Sequence, residues 1–250
     1  MTIDNGKVTE LFNKRASTLS GNNSVLSSNQ NPRTILQNIY RDYITKNTLL
    51  KHLQVNKTDT LLDFGCGVGR LSKHTGKKCK SVLAVDTSEK MIANAINTTN
   101  LSNVTYRTIS GDLSFCKKNS ISKVYTCWVL QHVSDTALNI YMDEFYRVLN
   151  NNGKIVIMEQ TSKTSYQNDD VIIQRKSSDY VNLFKLKGFS LVYSKKVFKV
   201  PSYAMDYWIK LNPPLFLLPF FGILERLTIS RKQDAADYFT EVFVFKKVTR

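Results

Sequence analysis

Residues 61–72 read Leu61-Leu62-Asp63-Phe64-Gly65-Cys66-Gly67-Val68-Gly69-Arg70-Leu71-Ser72. An apolar run ends in an acid, a glycine-rich turn follows, and a helix-compatible segment opens. That is strand, tight loop, helix N-terminus. Glycine lets the backbone turn sharply and approach a ligand where a Cβ would intrude, and a helix N-terminus leaves free N–H groups beside it. The alternative is an ordinary βα turn, and the spacing separates the two. The dinucleotide fingerprint is G-x-G-x-x-G. Here the glycines run G-x-G-x-G, with Asp63 two residues ahead.

Upstream, Thr34 to Leu53 places Ile35, Ile39, Ile44, Leu49, Leu50 and Leu53 at near-helical spacing. It reads as the helix leading into the first strand, with Asn56 and Asp59 in the turn between. Val8 to Ala16 is a short helical candidate. Ser17 to Pro32, rich in Ser and Asn, reads as a mobile loop.

Downstream, Ser81 to Asp86 is an apolar run ending in an acid, and such a run suits a parallel strand covered on both faces. An acid about twenty residues beyond a glycine loop can accept hydrogen bonds from ribose hydroxyls, which singles out Asp86. Thr87 follows, and Ser88 is a plausible N-cap for the next helix. Val104 to Ile109 is a third strand, followed by Gly111-Asp112-Leu113. Ile121 to Val133 holds the fourth strand and the residues leaving it, at the switch point where ligands of α/β sheets bind. Asp135 to Leu149 reads as a helix and Ile155 to Glu159 as the fifth strand. Asn150, Asn151 and Asn152 between them tolerate a left-handed turn. Ser177 to Lys187 is a helix stopped at Gly188. Phe189 to Lys199 and Phe239 to Lys247 are strands.

Five features in this order, Gly111-Asp112-Leu113 the third of them, resemble the class I S-adenosylmethionine-dependent methyltransferases. The family's first motif is acid-x-G-x-G-x-G, matched at Asp63, Gly65, Gly67 and Gly69. Asp86-Thr87-Ser88-Glu89-Lys90-Met91 resembles the second. Val129-Leu130-Gln131-His132-Val133 resembles the Val-Leu-His-His-Leu type sequence of the small-molecule and glycan branch. Arg147-Val148-Leu149 resembles the start of its Arg-Val-Leu-Lys-Pro-Gly-Gly turn, which this chain leaves at the Lys, the Pro and the first Gly.

The resemblance implies an α/β fold: a doubly wound, Rossmann-like, seven-stranded, mostly parallel sheet closed by an antiparallel pair. It also implies an N-terminal helical lid over 1–55, a methyltransferase domain over 56–250, and an insertion over 200–238 before the last strand. It implies S-adenosylmethionine as cofactor. The loop at Asp63, Gly65, Cys66, Gly67 and Gly69 would pack on its methionine and ribose, and Asp86 and Thr87 would hold the ribose. Met91 would lie on the adenine, while Asp112 and Leu113 would meet the adenine amino group. Cys127, Trp128 and Val133 would line the methionine end. Lys14, Arg15, Arg33 and Tyr40 are lid candidates. The sulfonium methyl is already activated, so positioning supplies much of the acceleration. A hydroxyl acceptor also benefits from a base, and His132 and Glu159 are the candidates.

Composition narrows the partners. With 250 residues, 42% hydrophobic and 22% charged, the chain resembles an ordinary soluble globular protein. Its four cysteines form no C-x-x-C pair, so no zinc site or other metal is expected. Met1 to Val8 shows no apolar secretory core, which points to the cytoplasm. A net charge of +15 favours an anionic partner. The lysines are scattered, however, and read as solvated surface.

The expected acceptor is therefore an oxygen or nitrogen of a small molecule or sugar, nucleotide- and lipid-linked forms included, as in glycan biosynthesis. An RNA acceptor is the alternative, with charge its only argument. A non-catalytic cofactor-binding subunit and a nicotinamide-dependent oxidoreductase stand further off, the latter because of the glycine spacing. The apolar stretch 213–224 has three readings: core or dimer contact, acceptor-site wall, or membrane-surface docking.

Overall fold

The structure is a computed structural model, and it describes residues 1–26, 31–229 and 238–248. Helix α1 (Asn5–Thr18) is capped by Asp4, whose side chain accepts from the Lys7 N–H. A single turn, α2 (Asn22–Val25), and the long α3 (Pro32–Leu53) follow. Then come β1 (Thr60–Phe64), α4 (Ser72–Gly76), β2 (Ser81–Asp86), α5 (Glu89–Thr98), β3 (Val104–Thr108) and β4 (Ile121–Cys127). Next are α6 (Asp135–Val148), β5 (Leu149–Ser162), a hairpin of β6 (Tyr166–Asp169) and β7 (Ile172–Gln174), α7 (Ser177–Leu186) and β8 (Phe189–Val200). Helices α8 (Tyr203–Leu211) and α9 (Leu218–Thr228) precede the last strand, β9 (Tyr238–Lys247).

Seven strands form one sheet in the order β3-β2-β1-β4-β5-β9-β8. The five from β3 to β5 run parallel, and β9 lies antiparallel to both β5 and β8. The central strands are apolar on both faces because helices cover both. Leu62, Val85, Val124 and Ile157 meet α6 and α7 through Phe145 and Phe184. Leu61, Ala84, Tyr125 and Val156 meet Leu49 and Leu53 of α3 and Ile92 of α5 on the other face. Helix α3 is thus part of the core beneath the sheet.

Two expectations are corrected here, and one element is added. Residues 17–32 are not simply a loop, since α1 runs to Thr18 and α2 occupies Asn22–Val25; positions 27–30 lie outside the described residues. The expected left-handed turn at Asn150–Asn152 does not form, because β5 already starts at Leu149, opposite Ile121. A register shift between Ile121 and Lys123 absorbs the extra residues. The β6–β7 hairpin is an addition, too short and polar to signal itself by periodicity.

The sheet directions also place the insertion. Because β8 runs antiparallel to β9 and β9 antiparallel to β5, the end of β8 lies with the end of β5. Tyr238 pairs with Val200 on one side and Ser162 on the other. Helices α8 and α9 therefore stand at the carboxyl edge of the parallel strands, the edge that carries the glycine loop. Among the described residues no helix is long and apolar enough to cross a membrane.

Candidate functional site

The glycine loop is held by the neighbouring strand, with the Gly65 and Cys66 N–H groups both donating to the Val85 carbonyl at 2.8 and 2.9 Å. Gly65, Gly67 and Gly69 take φ of +73°, +52° and +74°, a region that favours glycine. A Cβ at Gly65 would strike Val129, and one at Gly69 would strike the Tyr106 hydroxyl. At Gly67 it would lie 2.6 Å from Val25 of α2.

Asp86 closes the next strand. Its Oδ2 accepts the Gly67 N–H at 2.8 Å and its Oδ1 the Ser88 N–H at 2.9 Å. Each carboxylate oxygen has a second lone pair, so Asp86 organises the loop and still offers acceptors to a ligand. Burial raises its pKa, and the N–H donors pull the other way. Ser88 caps α5 by accepting the Met91 N–H, and its hydroxyl donates to Asn13 of α1 at 2.7 Å. The Asn94 amide donates to the Ala16 carbonyl, also on α1, at 2.8 Å.

These bonds roof a cavity of about 440 Å³. Gly65, Gly67, Asp86 and Thr87 form its floor, and Cys127, Trp128 and Val129 one wall. Ile109, Ser110 and Gly111 form another, and His132, Val133 and Tyr141 line it as well. Asn5, Val8, Thr9 and Phe12 of α1 cover it. This volume lies in the range of small-molecule and cofactor sites.

A smaller pocket of about 40 Å³ adjoins the loop, lined by Asp63, Cys66, Gly67, Arg70 and Cys127 among others. Arg70 pairs with Asp42 of α3 at 2.6 Å and brings a cation to it. Asp63 lies under the loop and accepts from the Ser72 hydroxyl. Burial pushes its pKa up to about 7. Burial likewise holds the Cys66 thiol well above its ordinary range and pushes Cys127 up to about 12, so neither is a thiolate at neutral pH.

His132 follows β4 on a short 3₁₀ turn, Leu130–His132. Its Nδ1 is 2.7 Å from the Val171 carbonyl, which can only accept. Nδ1 therefore carries the hydrogen and Nε2 keeps the lone pair. The Gln131 amide nitrogen lies 3.2 Å from Nε2. Burial lowers the His132 pKa, and the Arg15 charge lowers it further. The Phe12 ring meets the imidazole edge-on at 5.3 Å.

Glu159 has a different task from the base role expected of it. It is fully buried, and its oxygens accept the N–H groups of Val129, Leu130 and Gln131 at 3.0, 2.9 and 3.4 Å. It holds the loop that presents His132. Burial pushes its pKa up to about 7 against these donors.

Other expected contacts also fall elsewhere. Asp112 is exposed and accepts the backbone N–H and hydroxyl of Ser114, so it completes a local turn. Leu113 is core, its N–H donating to Glu144 at 3.1 Å. Met91 packs with Ala16 and Val68 beneath α1. Lys14 is exposed. Arg33 pairs with Asp206 at 3.3 Å, and Tyr40 bonds Glu225 at 2.8 Å, both on the insertion side of α3. The lid contacts missed by the sequence are Asn5, Val8, Thr9 and Phe12, and only the 3–4 spacing of the apolar pair Val8 and Phe12 hints at a common face.

The arrangement thus offers a glycine cradle, a ribose-type acceptor, a nearby cation and a neutral imidazole under one roof. The residues fit a cofactor with a nucleoside and an amino-acid end: Asp86 keeps acceptor lone pairs for hydroxyls beside the glycine loop, and Arg70, paired with Asp42, places a cation near a carboxylate.

Residues 62–157 match the family model of a methyltransferase domain. No curated protein sequence matches the chain. Solved structures do. One is a chain from the complex between the Haloferax volcanii Trm112 methyltransferase activator and a methyltransferase, with TM-score 0.64 and 14% identity, covering 95% of this chain and 98% of that one. Another is the [4+2]-cyclase SpnF, with TM-score 0.67 and 14% identity, covering 97% and 94%. A third is Haemonchus contortus phosphoethanolamine N-methyltransferase 2 with phosphomonomethylethanolamine and S-adenosylhomocysteine, at TM-score 0.62 and 16% identity, covering 92% and 61%. At these identities the likeness is one of fold.

Proposed function

We propose that this chain is a class I S-adenosylmethionine-dependent methyltransferase, a reading supported by the methyltransferase-domain match over residues 62–157, and that it methylates an oxygen or nitrogen of a small anionic molecule or sugar, nucleotide- or lipid-linked forms included. The observation that carries the proposal is the environment of His132. A neutral imidazole with its lone pair on Nε2 lines a cavity that α1 covers, with Phe12 against the ring. A roof tied down at Asn13 and Ala16 suits a small acceptor better than a folded nucleic acid.

When bound, the cofactor supplies a sulfonium-activated methyl group. The chain's own residues do the rest. The loop at Gly65–Gly69 and Asp86 orient the nucleoside end, and Arg70 takes the carboxylate. Trp128 is fixed by its N–H to the Met158 carbonyl at 2.8 Å and its indole N–H to Thr240 at 3.2 Å, and it shapes the wall on the β9 side. His132 Nε2 receives the acceptor's proton. The bond from the Gln131 amide is long enough for an acceptor hydroxyl to replace it. Arg15 adds positive charge near His132, and its Nε is buried without a partner, which favours an anionic acceptor.

The Haemonchus structure holds a phosphate-bearing amine in this fold, which supports an acceptor of that class. SpnF shows that the fold alone does not set the reaction. RNA is the second reading, favoured only by the +15 charge.

Transfer of labelled methyl from S-adenosylmethionine into cell extract, fractionated into RNA, protein, and small-molecule plus glycan pools, tests the reading. Label is expected in the last pool. RNase-sensitive label would replace it with the RNA reading, and cofactor binding without transfer to any pool would favour a non-catalytic subunit.

A further inference from the structure

The insertion buries one face and leaves a second apolar face in solvent. Its inner side is core: Trp208 of α8 and Phe221 of α9 pack edge-on at 5.4 Å, in one cluster with Tyr40 and Ile44 of α3. Glu225 pins this side, accepting from the Tyr40 and Ser202 hydroxyls and the Lys199 N–H. The outer side of the same short helix carries Phe220, Ile223 and Leu227, at i, i+3 and i+7, and is continuous with Leu215 and Phe216 just before it. Phe216 is 76% exposed, Leu227 72% and Phe220 61%. Scattered exposed apolar residues are ordinary, but a contiguous row of this kind marks a contact surface. A helix apolar on both faces has a second apolar environment to meet.

Charge identifies that environment. From Tyr203 to Ile229 the acids are Asp206, which pairs with Arg33 at 3.3 Å, and Glu225, which is buried in the pin, while Lys210 and Arg226 are both exposed. Tyr203 and Tyr207 are exposed on α8, and amphipathic aromatic rings of this kind sit at headgroup level. Apolar side chains flanked by cations and tyrosines, on a helix too short to span, fit the surface of an anionic bilayer. A second copy of the chain would instead bring Lys210 and Arg226 together with only Asp206, already paired with Arg33, to balance them.

We infer that the outer face of α9, with Leu215, Phe216 and Lys210, docks the enzyme on an anionic lipid surface. The inference goes beyond the acceptor reading and stands on the insertion alone. Its consequence for function comes from position: α8 and α9 stand at the carboxyl edge of the sheet, the edge that carries the glycine loop and His132. Docking through this face brings the site end of the molecule toward the bilayer, where an amphiphilic or lipid-linked acceptor resides.

The test is co-sedimentation of the full chain with vesicles of phosphatidylcholine alone and of phosphatidylcholine with phosphatidylglycerol. Binding is expected to the second vesicle, weakened by salt and by Lys210→Glu with Arg226→Glu. Phe216→Asp with Phe220→Asp is expected to reduce it about tenfold or more. Both phenylalanines are exposed, so this variant keeps its circular dichroism and its affinity for S-adenosylhomocysteine. Recovery in the supernatant with both vesicles would overturn the proposal. So would a concentration-dependent dimer of the parent chain that the Asp pair dissolves, which would assign the face to a second copy. None of these readouts involves methyl transfer, so the acceptor reading can fail independently.

Discussion

His132 owes its protonation to two neighbours. The Val171 carbonyl fixes the hydrogen on Nδ1, while burial and the Arg15 charge disfavour the imidazolium. A base that must be neutral loses function as pH falls through its own pKa, here below the ordinary 6.5. The acid limb of kcat is therefore expected to have its midpoint below 6.5. The same shift acts on stability: a histidine with a lowered folded pKa stabilises the fold above about 6.5 and loses that contribution as pH falls toward the folded value. His132→Ala is expected to lower kcat by about 10²-fold or more with cofactor affinity retained, read by product release and by calorimetry. Full turnover would remove the base role. Glu159 behaves oppositely. Glu159→Gln replaces an acceptor oxygen with a donor facing N–H groups and is expected to destabilise by about 1–3 kcal/mol in denaturant unfolding. At this scale the sequence is uneven. The places of Asp86 and His132 on the cavity were legible because a strand end and a short motif fix where they sit. Asp112, Met91 and Glu159 were not, because the same residue types serve equally as a turn cap, core filling and loop anchor. Only their hydrogen bonds and burial separate these tasks.

At the scale of elements, α1 is a roof tied through side chains, among them Asn13 to Ser88, Ala16 to Asn94, Ser17 to Lys90 and Lys7 to Asp170. A bound cofactor contacting Val8, Thr9 and Phe12 should stabilise it. Limited proteolysis is expected to slow between Ser17 and Pro32 when S-adenosylhomocysteine is added; unchanged cleavage would show that α1 does not close over ligand. The insertion is anchored differently, through one buried carboxylate. Tyr40→Phe removes the hydroxyl that Glu225 accepts and is expected to destabilise by about 1–3 kcal/mol in denaturant unfolding, with cofactor affinity unchanged. The sequence marked the helix over residues 34–53 by period and the insertion by its apolar block. It could not show that one packs on the other, because Tyr40 and Glu225 meet only across 185 residues of chain.

Across the whole molecule, the alternation of buried runs and amphipathic helices determined the five parallel strands, since each apolar run must be covered on both faces. The closing pair β8 and β9 came from resemblance, and the structure adds the consequence that the insertion between them lies at the site edge. The proposed function rests on one claim: that the space between the glycine loop and α1 takes S-adenosylmethionine, with Asp86 holding it. The direct measurement is calorimetric titration of S-adenosylmethionine into the parent chain and Asp86→Ala, with folding checked by circular dichroism. A carboxylate accepting two hydroxyl hydrogen bonds is worth about tenfold or more in affinity. Saturable one-site binding that Asp86→Ala weakens by about that factor or more is the expected result. Equal affinity in two well-folded proteins would place the cofactor elsewhere and contradict the account.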